Sequence, residues 1–224
     1  MKLIGMLDSP YVRRVAVSMQ LLGLRFEHES VSVFRGFAQF QKINPVVKAP
    51  TLLCDDGTVL MDSTLILEYA EALARSLARS LAGARSLLPA DLPVLQRDLR
   101  LIGLALAACE KSVQIVYERN TRPAERQHEP WVERVTGQML AALGALEAEV
   151  AARPLAATSA TITQAGVSTA VVWEFARKMQ PGLASAAALP ALAAFAAQAE
   201  QLAEFKAAPH GEGTYRDTRP MPAT

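Results

Sequence analysis

The sequence predicts a chain in two parts, with an α/β part first and an all-helical part after it. Three observations carry this prediction. The apolar run Lys2–Leu7 is followed by apolar residues at helical spacing, which indicates a strand and then a helix. Asp56-Gly57 is a tight hairpin signal between two short apolar segments. Beyond Leu87-Leu88-Pro89-Ala90-Asp91 the apolar patterns are helical, and nothing there resembles a strand.

The first strand and the first helix meet at Ser9. Pro10 follows at the first helical position, where a missing N–H costs nothing, and Gly23 is a stop signal at the end. A hydroxyl at this place lies beside unpaired backbone N–H groups and the positive end of a helix dipole, which suits an anion. Serine is also a preferred N-cap. From these residues alone, capping and ligand binding both stay open.

The following segments complete a small sheet. Residues 25–33 predict a second strand, parallel to the first because a helix separates the two, and Phe34–Ile43 predict a loop or an irregular helix. Thr51–Cys54 and Val59–Met61 are the predicted strands of the hairpin. The order βαβ followed by ββα is that of a thioredoxin-like domain, which we place at residues 1–80.

A third predicted helix opens at Asp62-Ser63. Its apolar side is predicted to carry Leu65, Ile66, Tyr69 and Leu73. Residues 73–86 then repeat Leu-Ala-Arg-Ser, and this four-residue period drifts slowly around a helix, so that the arginines form a solvated ridge. We interpret the repeat as a helix extension or a stiff linker, and place the linker at residues 81–91.

Residues 92–208 are predicted to form an all-α domain. The face of its first long helix is predicted to carry Leu99, Ile102, Leu106, Cys109, Val113 and Val116. A second helix beginning at Pro130 is predicted to bury Val132, Val135, Met139, Leu143, Leu146 and Val150. Residues 165–179 are apolar nearly all round, as in a helix at the centre of a domain. A last helix is predicted over Leu189–Phe205, and the tail, residues 209–224, is expected to fray from Pro209.

Composition excludes several classes of function. The 224 residues carry a net charge of +1 with no block of like charge, so nucleic acid and membrane surfaces are not expected partners. We see neither a signal peptide nor an apolar run long enough to span a membrane. Cys54 and Cys109 form no C-x-x-C motif and the three histidines are scattered, so we expect no dithiol site and no metal. These features predict a soluble, cytoplasmic protein.

Four segments, in order and at the right spacing, carry a resemblance over nearly the whole chain. Ser9-Pro10-Tyr11-Val12-Arg13-Arg14 resembles the S-P-[FY]-x-R-[KR] segment, and Asn44-Pro45-Val46-Val47-Lys48-Ala49-Pro50 resembles N-P-x-G-K-V-P, of the cytosolic glutathione S-transferase family. Asp62-Ser63 and Leu88-Pro89 resemble the pair before the third helix and the beginning of the all-α domain. The branch resembled is the serine-type, bacterial one. The resemblance implies the glutathione transferase fold.

The resemblance also implies a glutathione site. Ser9 would donate a hydrogen bond to the cysteinyl thiolate and act as the catalytic residue. The other contacts would come from Lys48, Ala49, Pro50, Asp62 and Ser63. In the family, the pair before the third helix meets the γ-glutamyl end, the backbone before a cis-proline pairs with the peptide, and the lysine meets the glycyl carboxylate. A plain cap, a trans proline and a solvated lysine are the open alternatives.

The family's electrophile pocket lies between its domains. Here it would include Tyr11, Cys109, Ser112, Val113 and Val116, although the same residues could be core or, for Tyr11, interface packing. The resemblance implies a homodimeric detoxification enzyme that joins glutathione to a small hydrophobic electrophile, whose identity stays open, as does the choice among conjugation, peroxidase, isomerase and dehalogenase chemistry. A glutathione-binding or regulatory protein without turnover is the alternative. A thiol-disulfide oxidoreductase would need a cysteine at position 9 or 10.

Two departures from the family pattern predict local differences. Val47 replaces a glycine before Lys48, which predicts a bulkier approach to the proline. Thr163-Gln164-Ala165-Gly166 has glycine where the family's capping box has a carboxylate. We expect the Thr163 hydroxyl to accept from the N–H of residue 166, and an aspartate at that position to raise stability.

Overall fold

The structure, a computed structural model, describes residues 1–80 and 85–217. The chain divides into two compact units, of which the first comprises Met1–Leu87 together with the C-terminal segment from Leu202, and the second comprises Leu88–Gln201. Residues 81–84 of the predicted linker and 218–224 of the predicted tail lie outside the described residues.

The first unit is built on a small mixed sheet. Its strands are β1 (Lys2–Ile4), β2 (Glu27–Glu29), β3 (Thr51–Leu53) and β4 (Val59–Met61), in the order β2-β1-β3-β4. β1 and β2 are parallel, whereas β1 with β3 and β3 with β4 are antiparallel. The predicted parallel pair and hairpin are confirmed, but β2 is shorter than the predicted 25–33.

Three helices flank this sheet in chain order. They are α1 (Pro10–Leu21), α2 (Phe37–Ile43) and α3 (Ser63–Ser80). Every residue of α1 except Tyr11 is buried. The face predicted for α3 is wrong in part, because Leu65 is 59% exposed and Tyr69 is exposed as well, while Ile66 is fully buried. Small residues such as Ala70 take the inward positions instead, which lets α3 lie close to α1.

The second unit contains only helices among its described residues. They are α4 (Leu92–Thr121), α5 (Glu129–Ala152), α6 (Gln164–Met179) and α7 (Pro190–Ala199), with a short 3-10 turn at Ala124–Arg126. The buried face of α5 contains all six predicted residues, and α6 is buried on nearly all sides, as predicted. None of the helices in the described ranges is long and apolar enough to cross a membrane.

The predicted face of α4 is partly wrong. Leu99 is 53% exposed, and Val113 and Val116 are only half-buried. The buried side instead carries Leu101, Ile102, Ala105, Ala108, Cys109, Ser112 and Ile115. Alanine and serine occupy several of these inward positions because α4 packs closely against α5 and α6. A prediction based on large apolar side chains therefore selects a different face of the helix.

The predicted last helix, Leu189–Phe205, is two helices. α7 ends at Ala199, and α8 (Ala203–Ala207) belongs to the first unit. Side chains of α1 hold α8 by its backbone: Gln20 Nε2 donates to the Glu204 carbonyl at 3.0 Å, and Arg13 Nε donates to the Ala208 carbonyl at 2.8 Å. Hydrophobic periodicity does not reveal such long-range bonds.

The start of α6 also differs from its prediction. Thr163 is the N-cap residue, but its hydroxyl makes no capping hydrogen bond. Gly166 is buried, and a Cβ built on it would lie 2.8 Å from Ile162 Cγ1 and 3.4 Å from Phe195 Cζ. Close packing therefore explains why a glycine occupies this position. For the same reason we no longer expect an aspartate here to raise stability.

Candidate functional site

Ser9 is the N-cap of α1, as predicted. Its backbone is extended, Pro10 occupies the first turn, and its Oγ accepts from the Val12 N–H at 3.4 Å. This is a long hydrogen bond, so the hydroxyl makes only a weak contact with its own helix. Ser9 is partly exposed, and its proton can be donated to a ligand placed at the positive end of α1.

Gly5 brings the loop of Ser9 against a second element of the site. Its φ is +133°, and a Cβ built on it would lie 2.7 Å from Val12 Cγ2 and 3.1 Å from Ala49 Cβ. Any side chain here would push the loop away from the turn that contains Ala49. The absence of a side chain at Gly5 is therefore what lets the two halves of the site approach each other.

The Ala49–Pro50 bond is cis, as the resemblance implied. Two buried polar residues hold the turn before it. Thr51 Oγ1 donates to the Lys48 carbonyl at 2.7 Å and accepts from Asn44 Nδ2 at 2.8 Å. The side chain of Asn44 also accepts from the Val46 N–H at 3.0 Å. The backbone around Ala49 is thus fixed in place, as an edge for pairing with an extended peptide requires.

Val47 has a backbone conformation that explains the glycine of the family pattern. Its φ is +52°, in the left-handed region that β-branched residues rarely adopt. The Val47 N–H donates to the Asn44 carbonyl at 2.9 Å, which keeps the turn closed despite the substitution. The predicted bulkier approach is therefore accompanied by a strained backbone, which costs roughly 1–2 kcal/mol.

Asp62 and Ser63 stand at the start of α3. Asp62 has a φ of +75°, and its carboxylate accepts from the Thr64 N–H at 2.9 Å and lies 3.4 Å from Lys48 Nζ. Partial burial acts to raise the pKa of Asp62, but the hydrogen bonds from Thr64 and Lys48 outweigh it and hold the pKa below the usual range. The carboxylate therefore stays ionised, and Lys48, which is half exposed, can exchange this surface ion pair for a ligand.

Arg14 is a residue of the site whose role we did not predict. The residue is 2% exposed, and its Nη1 donates to Ser63 Oγ at 3.0 Å and to Thr64 Oγ1 at 3.2 Å. A buried cation thus lies at the first turn of α3, where the helix dipole is also positive, and the two together favour a carboxylate. Arg14 stands five positions after Ser9, which corresponds to about 7.5 Å along α1. The S-P-[FY]-x-R-[KR] match contained this arginine, but only the structure shows that it lies beside Ser63.

The residues predicted for the electrophile pocket differ in burial and in the unit to which they belong. Tyr11 is half-buried in the first turn of α1. Cys109 and Ser112 are fully buried in the second unit, where the Ser112 hydroxyl donates to Gln180 Oε1. Val116 is half-buried. Val113 lines a cavity of about 350 Å³ together with Gln114, Tyr117, Glu118, Thr121, Arg122 and Trp131.

Neither cysteine forms a disulfide, and both are buried. Within residues 1–80 and 85–217 no three side chains of His, Cys, Asp or Glu come together in a group that could hold a metal ion.

The chain is similar in sequence to known glutathione transferases. Residues 3–77 match the family "Glutathione S-transferase, N-terminal domain". The "Uncharacterized GST-like protein YibF" of Escherichia coli K12 is 28% identical over 185 residues, which are 81% of this chain and 86% of that protein. Glutathione S-transferase U4 of Arabidopsis thaliana is 33% identical over 72 residues, 32% of each chain.

Solved structures share the fold. A glutathione transferase family member from Pseudomonas fluorescens Pf-5 with bound glutathione is 27% identical, covers 92% of this chain and 97% of its own, and has a TM-score of 0.73. A glutathione S-transferase from Methylobacterium radiotolerans in complex with glutathione sulfonate has a TM-score of 0.80 at 22% identity, covering 100% and 99% of the two chains. The match over residues 3–77 and these solved structures together show that the chain has the glutathione transferase fold.

Proposed function

We propose that this protein is a glutathione transferase that activates the glutathione thiol for attack on a small hydrophobic electrophile. The observation that carries the proposal is the contact, through Gly5, between the Ser9 loop and the turn of the cis Ala49–Pro50 bond. An extended peptide paired with the backbone at Ala49 would then have its central side chain near the N-terminus of α1. The Pseudomonas fluorescens structure, similar over nearly its full length, has glutathione bound.

Each end of glutathione has a partner of suitable charge in this proposal. Asp62, held ionised, would bind the α-ammonium of the γ-glutamyl residue, and the start of α3 with Ser63 and the buried Arg14 would bind its carboxylate. Lys48 would leave Asp62 to meet the glycyl carboxylate. These contacts would hold the tripeptide in place, which leaves Ser9 the single task of tuning the thiol.

The chemistry needs a thiolate at neutral pH. A thiol has a reference pKa of about 8.5, and lowering it by two units corresponds to roughly 2.7 kcal/mol of stabilisation of the anion. The Ser9 hydroxyl and the positive end of α1 would supply this stabilisation together. In this proposal the Ser9 hydroxyl keeps its proton and donates a hydrogen bond to the thiolate. Because Ser9 forms no covalent bond with the substrate, it needs no general base beside it.

The test combines binding and turnover. We expect calorimetric titration with glutathione to show one saturable site, and a panel of aromatic and allylic electrophiles to show conjugation that depends on Ser9. Binding without turnover for any electrophile would favour the glutathione-binding or regulatory alternative, and a chain that binds no glutathione would contradict both. Peroxidase, isomerase and dehalogenase substrates belong in the same panel.

We further propose a cytoplasmic homodimer with a detoxifying role. The two free cysteines are consistent with a reducing compartment. Leu65, Tyr69 and Leu77 leave an apolar surface exposed along α3, and Val46 is 64% exposed, an arrangement suited to burial against a second copy. Light scattering after size exclusion tests this: we expect a dimer for the natural chain and a monomer for Leu65→Glu.

A further inference from the structure

The C-terminal segment of the first unit covers the edge of the sheet. Residues 209–217, which we call the C-terminal strap, lie along β2. Tyr215 is 7% exposed and stacks on Phe26 with ring centroids 4.5 Å apart. Ser30 Oγ donates to the Glu212 carbonyl at 2.7 Å. The strap is therefore docked, and the expectation that the chain frays from Pro209 is wrong for these residues.

His28 connects the strap to the loop that carries Ser9. Its Nε2 lies 2.7 Å from the Gly5 carbonyl, and its Nδ1 accepts from the Tyr215 N–H at 2.9 Å. A carbonyl only accepts and a backbone N–H only donates. The two partners therefore fix one state of the imidazole, neutral with its proton on Nε2.

Both polar groups of Gly5 are bound by β2. The Gly5 N–H donates to the Glu29 carbonyl at 3.1 Å, and the Gly5 carbonyl accepts from His28. Gly5 is also the residue whose backbone approaches Val12 and Ala49. Holding Gly5 thus sets the position of the Ser9 loop relative to the cis-proline turn.

We propose that His28 is a positioning residue for Ser9, kept in its neutral, Nε2-protonated state by the Tyr215 N–H of the C-terminal strap. The proposal rests on the role of Ser9 proposed above. Protonation would place an N–H on Nδ1, facing the N–H of Tyr215, and this hydrogen bond would be lost. Without the strap, the Tyr215 N–H no longer acts with the Gly5 carbonyl to select the Nε2-protonated tautomer, and the Ser9 loop is held less firmly.

The dependence on pH has a definite sign. Burial lowers the pKa of His28, although the hydrogen bond to Gly5 acts in the opposite direction. A histidine whose pKa is lowered on folding stabilises the docked state above the unfolded pKa of about 6.5, and this contribution is lost as the pH falls below that value. Docking of the strap should therefore be firm at pH 8 and weaken under mildly acidic conditions.

Other charged groups surround this contact. They are Lys2 between Glu27 and Glu29, Arg25 beside Asp217, Arg35 beside Glu212, Asp8 at the Ser9 loop, and His210 in the strap itself. Burial raises the pKa of Asp8, and Glu212 adds to that effect, while the Ser9 N–H and Arg35 oppose it. Among them only His210 has an ordinary pKa close to that of His28, so a His210→Gln variant is the matched control.

Two substitutions separate the two bonds of His28. In His28→Gln the side-chain amide can reach the position of Nε2 and donate to Gly5, but nothing accepts from Tyr215. In His28→Asn the amide oxygen can take the place of Nδ1 and accept from Tyr215, but nothing donates to Gly5. Neither side chain titrates.

Amide hydrogen exchange of the whole protein between pH 5 and 8, expressed as protection factors, tests the proposal without any ligand. We expect the protection of residues 210–217 to fall below pH 6.5 in the natural chain and in His210→Gln. In His28→Gln this protection should be low at every pH. In His28→Asn it should stay high, while the amides of residues 5–9 lose protection. The proposal would be overturned if the protection of residues 210–217 still depended on pH in both His28 variants. It would also be overturned if the protection of residues 5–9 were unchanged in His28→Asn.

Kinetics at pH 8 give a second readout. We expect kcat to fall about tenfold further in His28→Asn than in His28→Gln, a difference of about 1.4 kcal/mol in the barrier, with KM for glutathione within about twofold. Equal kcat values in the two variants would contradict the positioning of Ser9. If the natural chain conjugates no electrophile, the proposed function fails, whereas the exchange measurement still decides whether His28 links the strap to the loop.

Discussion

Two helix starts, one in each unit, have the same type of residue and use it differently. At α1 the N-cap is Ser9, whose hydroxyl accepts from the Val12 N–H. At α6 the N-cap is Thr163, whose hydroxyl accepts from no N–H of the helix. Both residues are partly exposed, and the helix residues after each are largely buried. The neighbours differ: Gly5 brings the Ser9 loop close to Ala49, whereas Gly166 in the first turn of α6 lies close to Ile162 and Phe195. A hydroxyl residue before a helix thus predicts where a helix begins, but only its surroundings decide whether it caps, binds a ligand or does neither.

The largest effect on stability is expected at the start of α6. Gly166→Asp would place a Cβ 2.8 Å from Cγ1 of Ile162, which is 1% exposed, and would place a carboxylate in an apolar environment. We expect a loss of about 2–6 kcal/mol in the free energy of unfolding, the sum of about 1–3 kcal/mol for overpacking and about 1–3 kcal/mol for a buried polar group. Urea denaturation measures it. Gly137→Asp is the control, since Gly137 lies in exposed α5 surface with nothing near its Cβ position, and it should change stability little.

A higher unfolding midpoint for Gly166→Asp would show that this helix start relaxes enough to accept a capping carboxylate. Packing around Gly166 would then not be the reason that this helix start differs from the start of α1.

At α1 the larger effect is expected on chemistry. In Ser9→Ala the thiol of bound glutathione loses its hydrogen-bond donor, and we expect its pKa to rise by up to about two units, towards 8.5, with a matching loss in turnover. Thiolate absorbance during a pH titration measures the pKa. Thr163→Ala is the matched variant at the other helix start and should leave the thiol unchanged. Equal thiol pKa values in the natural chain and Ser9→Ala would remove Ser9 as the activating residue.

A third helix start, that of α3, should affect binding more than turnover. Asp62→Asn keeps an acceptor for the Thr64 N–H and tolerates the positive φ, but removes the charge. We expect glutathione to bind more weakly by about 1.5–3 kcal/mol, the range for a hydrogen bond to a charged group. Calorimetry checks this, and an unchanged affinity would place the α-ammonium elsewhere.

The pH dependence of the same contact has a predicted sign. Because the pKa of Asp62 is lowered in the folded protein, its contribution to stability is present above the unfolded pKa of about 3.8 and is lost only as the pH falls through the lower folded value. Between pH 5 and 8 the carboxylate stays charged. Titrations in this range should therefore show no step from Asp62, and a step that disappears in Asp62→Asn would contradict the assignment.

Much of the fold follows from local patterns. The strands around Asp56-Gly57, the start of α1 at Pro10 and the buried stripe of α5 are set by turn chemistry and by large apolar side chains at regular spacing, which the sequence displays directly. The face of α4 is different, because alanines such as Ala105 and Ala108 form its contacts and carry little signal. Hydrophobic periodicity therefore does not reveal helix faces that pack closely through small residues.

The site was predictable only where a motif covers it. The cis bond at Ala49–Pro50 was expected from the resemblance, and the place of Ser9 at a helix start was expected from the residues around it. The roles proposed for Arg14 and His28 depend on partners at Ser63 and Tyr215, which are 49 and 187 residues away in sequence. Neither residue stands in a local pattern that distinguishes a buried, bonded side chain from a solvated one, and so only the three-dimensional contacts identify them.

The smallest effect is expected at Thr163. Replacing an N-cap hydroxyl commonly costs about 0.5–2 kcal/mol, because an orphan N–H of the first turn loses its acceptor. Thr163→Val keeps the shape of the side chain and removes an oxygen that accepts from no N–H of α6. We therefore expect a change below about 0.5 kcal/mol in the free energy of unfolding, against about 0.5–1 kcal/mol for Ser9→Ala, whose capping bond is long. Urea denaturation of both variants and of the natural chain measures these changes, provided that the dependence of the unfolding free energy on urea concentration is the same in all three proteins. A loss of 1 kcal/mol or more in Thr163→Val would mean that the hydroxyl caps α6 in solution, and that the two helix starts are alike after all.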